Sequence, residues 1–364
     1  MKTNTMKKPA SSFRVGILAG AAALALSAAL PAAAQDTVTI VSWGGAYSES
    51  QRKAYYEPYM AATGIKIVEA EYTGDIAQMR AMVESGNVTW DVIDVDASTS
   101  MAGCDQAFLE ELDYDKIGQP RDKFVVGGAN DCGVATIVYS TIYGYDAGNP
   151  PAEWNGKVPT TVADFFDLAT FPGKRGLYKK PFVNLEWALI ADGVAKEDVY
   201  DVLRTPEGVD RAFAKLDAIK ADSAWWEAGA QAPELLANGE VVMVQAWNGR
   251  LYGAVKNEGK QFVIIWDHQA VDFDFWAIMK NTPKLDAAYA FLAYASDPVN
   301  MARQSQFIAY GPSHADAIPL IPEDVLKDLP TFPGNMTTAF TVDPTFWADN
   351  SEALQERFNA WLAQ

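Results

Sequence analysis

Thr37-Val38-Thr39-Ile40-Val41-Ser42-Trp43-Gly44-Gly45 is a β-branched, alternating run that breaks at a glycine pair. Residues 48–62 are rich in helix formers, with Pro58 near their end and Gly64 as a stop, and residues 65–70 alternate like a second strand. A second helix over 76–85 leads into the apolar run 90–95, interrupted by Asp91 and Asp94. Strands alternating with helices predict a largely parallel sheet covered on both faces.

The same style continues along the chain. Residues 134–145 are a β-rich apolar segment, and Asn149-Pro150-Pro151 is a break that suits passage from one lobe to another. Helices are predicted over 162–169, 184–191, 206–220, 232–238, 284–295 and 349–362, and strands over 176–179, 241–245, 262–266 and 275–279. Trp225 and Trp226 read as helical, with core packing as their role.

The N-terminus speaks to compartment. Lys2, Lys7, Lys8 and Arg14 precede an apolar, Ala-rich run over 15–30, and Pro31-Ala32-Ala33-Ala34 puts small residues at the cleavage positions. That is the pattern of a secretory signal peptide over 1–34, leaving a mature chain from near Gln35. A membrane anchor is the alternative, but no stop-transfer pattern follows. The remaining chain, roughly 330 residues, exceeds one core and predicts two lobes. Removing four basic residues takes the formal charge from −18 to −22, the wrong sign for a nucleic-acid partner. In an oxidising compartment the two cysteines, Cys104 and Cys132, are expected to form a disulfide. Two distant histidines, His268 and His314, give no support to a zinc site or a Ser-His-Asp triad, and no phosphate-binding glycine loop occurs.

Ligands of open α/β sheets bind outside the carboxyl ends of strands. Three strand ends here carry aromatic and charged residues: Trp43, the bare backbone of Gly44, and Tyr47; Trp247-Asn248-Gly249-Arg250; and Asp272-Phe273-Asp274-Phe275-Trp276. Aromatic walls with carboxylates suit a small cationic or zwitterionic ligand.

The chain resembles the spermidine/putrescine-binding family of periplasmic solute-binding proteins that serve ABC importers. The resemblance rests on Ser42-Trp43-Gly44-Gly45, Ala62-Thr63-Gly64-Ile65-Lys66-Ile67, Trp90-Asp91-Val92-Ile93, Asn238-Gly239-Glu240-Val241, Trp247-Asn248-Gly249, Asp297-Pro298 and Tyr310-Gly311-Pro312. Their order covers essentially the whole mature chain. It implies the type II two-lobed α/β fold, with a mostly parallel sheet flanked by helices in each lobe and hinge crossovers between them. The expected lobes are 35–141 with 275–320, and 142–274 with 321–364. It further implies Trp43 and Tyr47 as first-lobe contacts, Trp247 as the second-lobe wall, Asp274 as the amine acceptor and Tyr310 as a late cleft tyrosine.

One stretch departs from the family. Where its polyamine binders carry second-lobe acids, this chain reads Lys179-Lys180-Pro181-Phe182-Val183-Asn184, which leaves a polyamine short of carboxylates. Arg250 could instead grip a carboxylate through two parallel hydrogen bonds. With Asp274 taking an ammonium, the expected ligand is a short ω-amino acid such as 4-aminobutyrate, with a polyamine as the alternative. Other roles stay open at several positions. Arg250 either faces the cleft or pairs with a surface acid such as Glu258. Asp96 either lines the cleft or caps the next helix, Lys179-Lys180 fits a solvated turn, and Asn184 fits a helix cap. Asp272 and Asp274 are read as facing opposite ways, which counts against a secreted hydrolase with paired carboxylates. The expected protein is a monomeric, non-enzymatic periplasmic component that hands its ligand to an inner-membrane ABC permease, without cofactor or metal and without inserting into the membrane.

Overall fold

The computed structural model describes residues 37–364; the expected signal peptide lies outside the described residues. The ten strands form one sheet: β1 (Thr37–Ser42), β2 (Lys66–Glu71), β3 (Val92–Asp96), β4 (Gly133–Asp146), β5 (Arg175–Tyr178), β6 (Ser223–Trp226), β7 (Met243–Trp247), β8 (Phe262–Ile278), β9 (Gly311–Pro312) and β10 (Phe340–Thr341). Their order is β2-β1-β3-β8-β4-β7-β5-β6, with β9 on β4 and β10 on β8. Each end of that path is a parallel trio, β2-β1-β3 and β7-β5-β6. Between them β8 and β4 run antiparallel to each other and to the trio strand beside them.

The parallel trios follow from the strand–helix alternation. Helix Gly45–Gln51 runs on through a π-helical stretch, Arg52–Tyr56, into Glu57–Thr63, and Gly64 ends it in the left-handed conformation at φ 76°. Helices Asn184–Ala191 and Pro206–Lys220 fall on the predicted bounds. One hydrophobic core gathers around Tyr55, Trp276 and Phe291 in the first lobe and another around Trp187, Phe213 and Phe358 in the second.

The long middle strands correct the expected pattern. Residues 262–278 are one strand of 17 residues, where two separate strands were expected. Its pairing with β4 slips between Thr141 and Tyr143, and His268 there adopts φ 47°. The polar run Asp267-His268-Gln269 is this irregularity, and in sequence it looks like a gap. A second correction concerns Trp225 and Trp226, which lie on β6, where Trp226 stacks on Tyr178 at 4.4 Å. Core packing does hold for Trp226, which is 2% exposed.

Buried charges in the framework are tied down. Asp91 accepts from Thr39 N, Thr282 Oγ1 and Lys284 Nζ, which fastens β1 to the start of helix Leu285–Ala295. Arg175 forms no ion pair with a carboxylate among the described residues but donates to the carbonyls of Phe165, Gly173 and Phe171. Cys104 and Cys132 form the expected disulfide, with Cα atoms 5.5 Å apart. It joins helix Ala97–Asp105 to the entry of β4.

Candidate ligand-binding cleft

A cavity of about 560 Å³ lies between the two parallel trios, over the middle strands. From the first lobe come Trp43 and Tyr47. The backbone turns sharply between them because Gly44 adopts φ 70°, and a Cβ there would sit 2.5 Å from the Glu71 carboxylate. From the second lobe comes Trp247, at the end of β7, which meets Trp43 edge to face at 5.7 Å. Tyr310 closes the floor, edge to face with Tyr47 at 5.3 Å. Asp274 reaches the cavity from β8.

Arg250 faces the cleft and does not pair with Glu258. It is 2% exposed and bridges the lobes, Nη1 donating to Gly44 O at 2.6 Å and Nη2 to Trp43 O at 3.2 Å. Its guanidinium lies 5.5 Å from the Trp247 ring centroid and 5.9 Å from that of Tyr47. Nε is buried without a partner, and among the described residues no carboxylate forms an ion pair with Arg250. Asp96 does both things that were open to it: it caps helix Ala97–Asp105 through Thr99 N at 2.7 Å and it lines the cavity.

Asp94 is the residue that sequence reasoning missed. It is fully buried, and its carboxylate accepts from Trp43 Nε1 at 3.1 Å, Tyr47 OH at 2.9 Å and Gln51 Nε2 at 2.6 Å. One side chain thereby fixes both first-lobe aromatics. Its carboxyl is also within hydrogen-bonding reach of that of Asp274. Burial pushes Asp94 up to about 7, against the pull of the three donors. Burial pushes Asp274 well above the usual carboxylate range, and the charges of Asp94, Asp272 and Asp96 add to it. Tyr47 is raised as well, first by burial and then by Asp94, so it stays a neutral donor.

The expectation that Asp272 and Asp274 diverge is wrong. Residues two apart on a strand share a face, and both carboxyls belong to one acidic cluster, with Tyr139 OH donating to Asp272 at 3.2 Å. The reading of Lys179-Lys180 as a solvated turn also fails for Lys180. That side chain lines the cavity and donates to the carbonyls of Thr73 and Gly74 in the other lobe, both at 3.2 Å. Asn184 is not the cap of its helix: Val183 holds that position, and the Asn184 amide donates to Tyr178 O and Lys180 O and holds that turn in place.

Residues 54–334 match the family of bacterial extracellular solute-binding proteins. The chain belongs to that family. It is 45% identical, over 341 residues, to a gamma-aminobutyric acid-binding protein of Pseudomonas aeruginosa, covering 94% of this chain and 95% of that one. Among solved structures it is similar to MotA of A. tumefaciens B6 in complex with glucopine, with TM-score 0.83, 32% identity, and 90% of this chain and 99% of that one covered. A GABA receptor structure aligns with TM-score 0.78 at 32% identity, over 90% of this chain and 98% of that one. This solute-binding protein is therefore not an enzyme, and the secreted-hydrolase reading falls on kinship rather than on carboxylate geometry. Among its described residues no helix is long and apolar enough to cross a membrane.

Proposed function

We propose that this protein captures a short ω-amino acid of the 4-aminobutyrate type between its lobes and delivers it to an inner-membrane ABC permease. The observation that carries the reading is charge placement. A buried guanidinium without a carboxylate partner shares one cavity with the buried Asp274 carboxyl, which among the described residues forms no ion pair with a cation. An isolated charge in such a place is unfavourable by several kcal/mol unless a counter-charge arrives. A zwitterion supplies both: its carboxylate toward Arg250, its ammonium toward Asp274, its methylenes between Trp43 and Trp247. Ligand contacts of Trp43, Gly44, Tyr47, Asp96, Trp247, Arg250, Asp274 and Tyr310 belong to this reading. The 45% identical relative, named for gamma-aminobutyric acid, supports it.

Capture works by lobe closure, with 35–141 and 275–320 as one lobe and 142–274 and 321–364 as the other. The register slips in the β4–β8 pair supply a place for bending. The basic leader over 1–34 carries the chain into the periplasm, where it acts as a monomer.

Calorimetry with 4-aminobutyrate, putrescine and spermidine tests the ligand class. We expect 4-aminobutyrate to bind best and Arg250→Ala to weaken it by more than about 2 kcal/mol, since the ligand carboxylate is left unpaired. Tight polyamine binding that survives Arg250→Ala would replace this reading with the polyamine one.

A further inference from the structure

Asp274 lines the cleft at the end assigned to the ammonium, and a second carboxyl, Asp94, is buried beside it. Asp96 lies opposite Asp274 in the antiparallel β3–β8 ladder. Asp94, two residues before Asp96, turns its side chain to the same side, and its carboxyl meets that of Asp274 within hydrogen-bonding reach. Asp94 is fully buried and Asp274 is 6% exposed. Two carboxyl groups this close, both out of water, do not ionise together unless a cation is present.

Among the described residues no lysine, arginine or histidine forms an ion pair with Asp94 or Asp274. From helix Gly45–Gln51 and the turn before it, Tyr47, Gln51 and Trp43 donate neutral hydrogen bonds to Asp94. From the following π-helical stretch, Tyr55 and Tyr56 lie nearby, and Tyr72 OH donates to Asp94 O at 2.7 Å. Asp96 and Asp272 add negative charge from β3 and β8, Tyr139 on β4 is neutral and bonded to Asp272, and Tyr310 is neutral. Arg250 spends two of its donors on the carbonyls of Gly44 and Trp43, and Lys180 is committed to Thr73 and Gly74.

We infer that Asp94 and Asp274 form a single ammonium subsite that shares one proton in the unliganded protein and releases it to solvent when an ammonium group enters. The inference rests on the amine end of the proposed function and adds Asp94 to it. The balance is simple: the ligand keeps its ammonium protons, the pair goes from one shared proton to none, and buffer takes the proton released. The complex then carries two carboxylates around one cation, and Asp94 still holds Trp43 and Tyr47 in position. Burial raises both carboxyls above the ordinary range, in the direction this requires.

Linkage gives the sign. The empty site binds one more proton than the filled site below the point where the pair ionises. Affinity for an ammonium ligand therefore rises with pH, about tenfold per pH unit, for as long as the empty pair holds its shared proton, and levels off once the pair is ionised.

The test is calorimetry of the full chain slightly above pH 7, where Asp94 is ionised and one proton remains on the pair, with 4-aminobutyrate and, separately, putrescine, in buffers of different ionisation enthalpy. The slope of observed heat against buffer enthalpy counts protons, and we expect close to one released per ligand bound. In Asp94→Asn the new amide can donate to Asp274 and favour its ionised form, so proton release should fall and the pH dependence flatten. Binding with no proton released by the native protein overturns the inference, and so does release that Asp94→Asn leaves unchanged. Proton-linked binding of putrescine without any binding of 4-aminobutyrate would sink the ω-amino acid reading and leave the shared subsite standing. If neither amine binds, both fall. The native measurement stands even if the variant does not fold.

Discussion

Trp43 and Trp247, 204 positions apart in the chain, meet edge to face at 5.7 Å across the cleft. Each is anchored from its own side. Trp43 donates to Asp94 and packs on Tyr72 at 4.7 Å, while Trp247 packs against Trp226 at 5.5 Å and Tyr178 at 5.7 Å. Both rings are only partly buried, so their free faces are available to a ligand.

That arrangement predicts that Trp43→Ala or Trp247→Ala weakens ligand binding by about 1–3 kcal/mol, combining lost apolar burial with lost cation–π attraction. Titration calorimetry checks the affinity and a thermal melt checks folding. Native affinity in both variants, with folding intact, would make these rings lobe-packing residues only.

Closure itself is held by unequal contacts. Arg80 and Glu352 form an ion pair across the mouth, but their side chains are 30% and 65% exposed. Screened pairs of that kind contribute about 0–1 kcal/mol. Lys180 is better placed, with two carbonyl acceptors in the opposite lobe and the Tyr178 ring 5.4 Å away. Hydrogen bonds from a charged donor are worth about 1.5–3 kcal/mol. Lys180→Met is therefore expected to raise Kd by roughly tenfold or more and to speed dissociation, while Glu352→Gln changes either by threefold at most. Stopped-flow fluorescence of the cleft tryptophans measures both rates. Equal effects of the two substitutions would refute the ranking.

The disulfide ties residues 28 positions apart, so reduction should destabilise the fold by roughly 3 kcal/mol through a freer unfolded chain. Denaturant melts with and without reductant measure the difference. Thiol titration of the denatured, unreduced protein should find no free thiol, and two per chain would refute the pairing.

What the sequence makes legible here is what periodicity and local chemistry encode. Helix Asn184–Ala191 and helix Pro206–Lys220 carry their own stop and start signals, and Thr205 caps the second through Gly208 N. Trp225 and Trp226 read as helical because their strand is only four residues long and shows no alternation of its own, and only pairing with β5 makes them a strand. Within the cleft, the aromatic ends of β1 and β7 are visible as a pattern, whereas the run 272–276, expected at a strand end, lies inside β8. Asp94 is not visible, because its three donors come from residues 43–51 and no spacing rule links them to it. Lys180 is hidden for the opposite reason: a lysine pair looks solvated until the far lobe supplies two carbonyls.

Glu186 leads to the last prediction. It is fully buried in the second lobe, where Oε1 accepts from Tyr200 OH at 2.9 Å and Trp347 Nε1 at 2.7 Å, and Oε2 has no partner. Burial pushes its carboxyl up to about 7, more than those two hydrogen bonds pull it down. The folded state thus prefers the neutral acid, whereas the unfolded chain ionises near the ordinary carboxylate value. Its contribution to stability is fully present below about pH 4.5 and is lost as pH rises through about 7. Glu186→Gln keeps an oxygen acceptor for both donors and cannot ionise. It should match the native protein at low pH and exceed it at pH 8 by on the order of 3 kcal/mol at most, from the size of the shift. Urea denaturation at about pH 4.5, 6 and 8 measures this, and a stability difference between the two proteins that does not change with pH would show that Glu186 titrates normally in the fold.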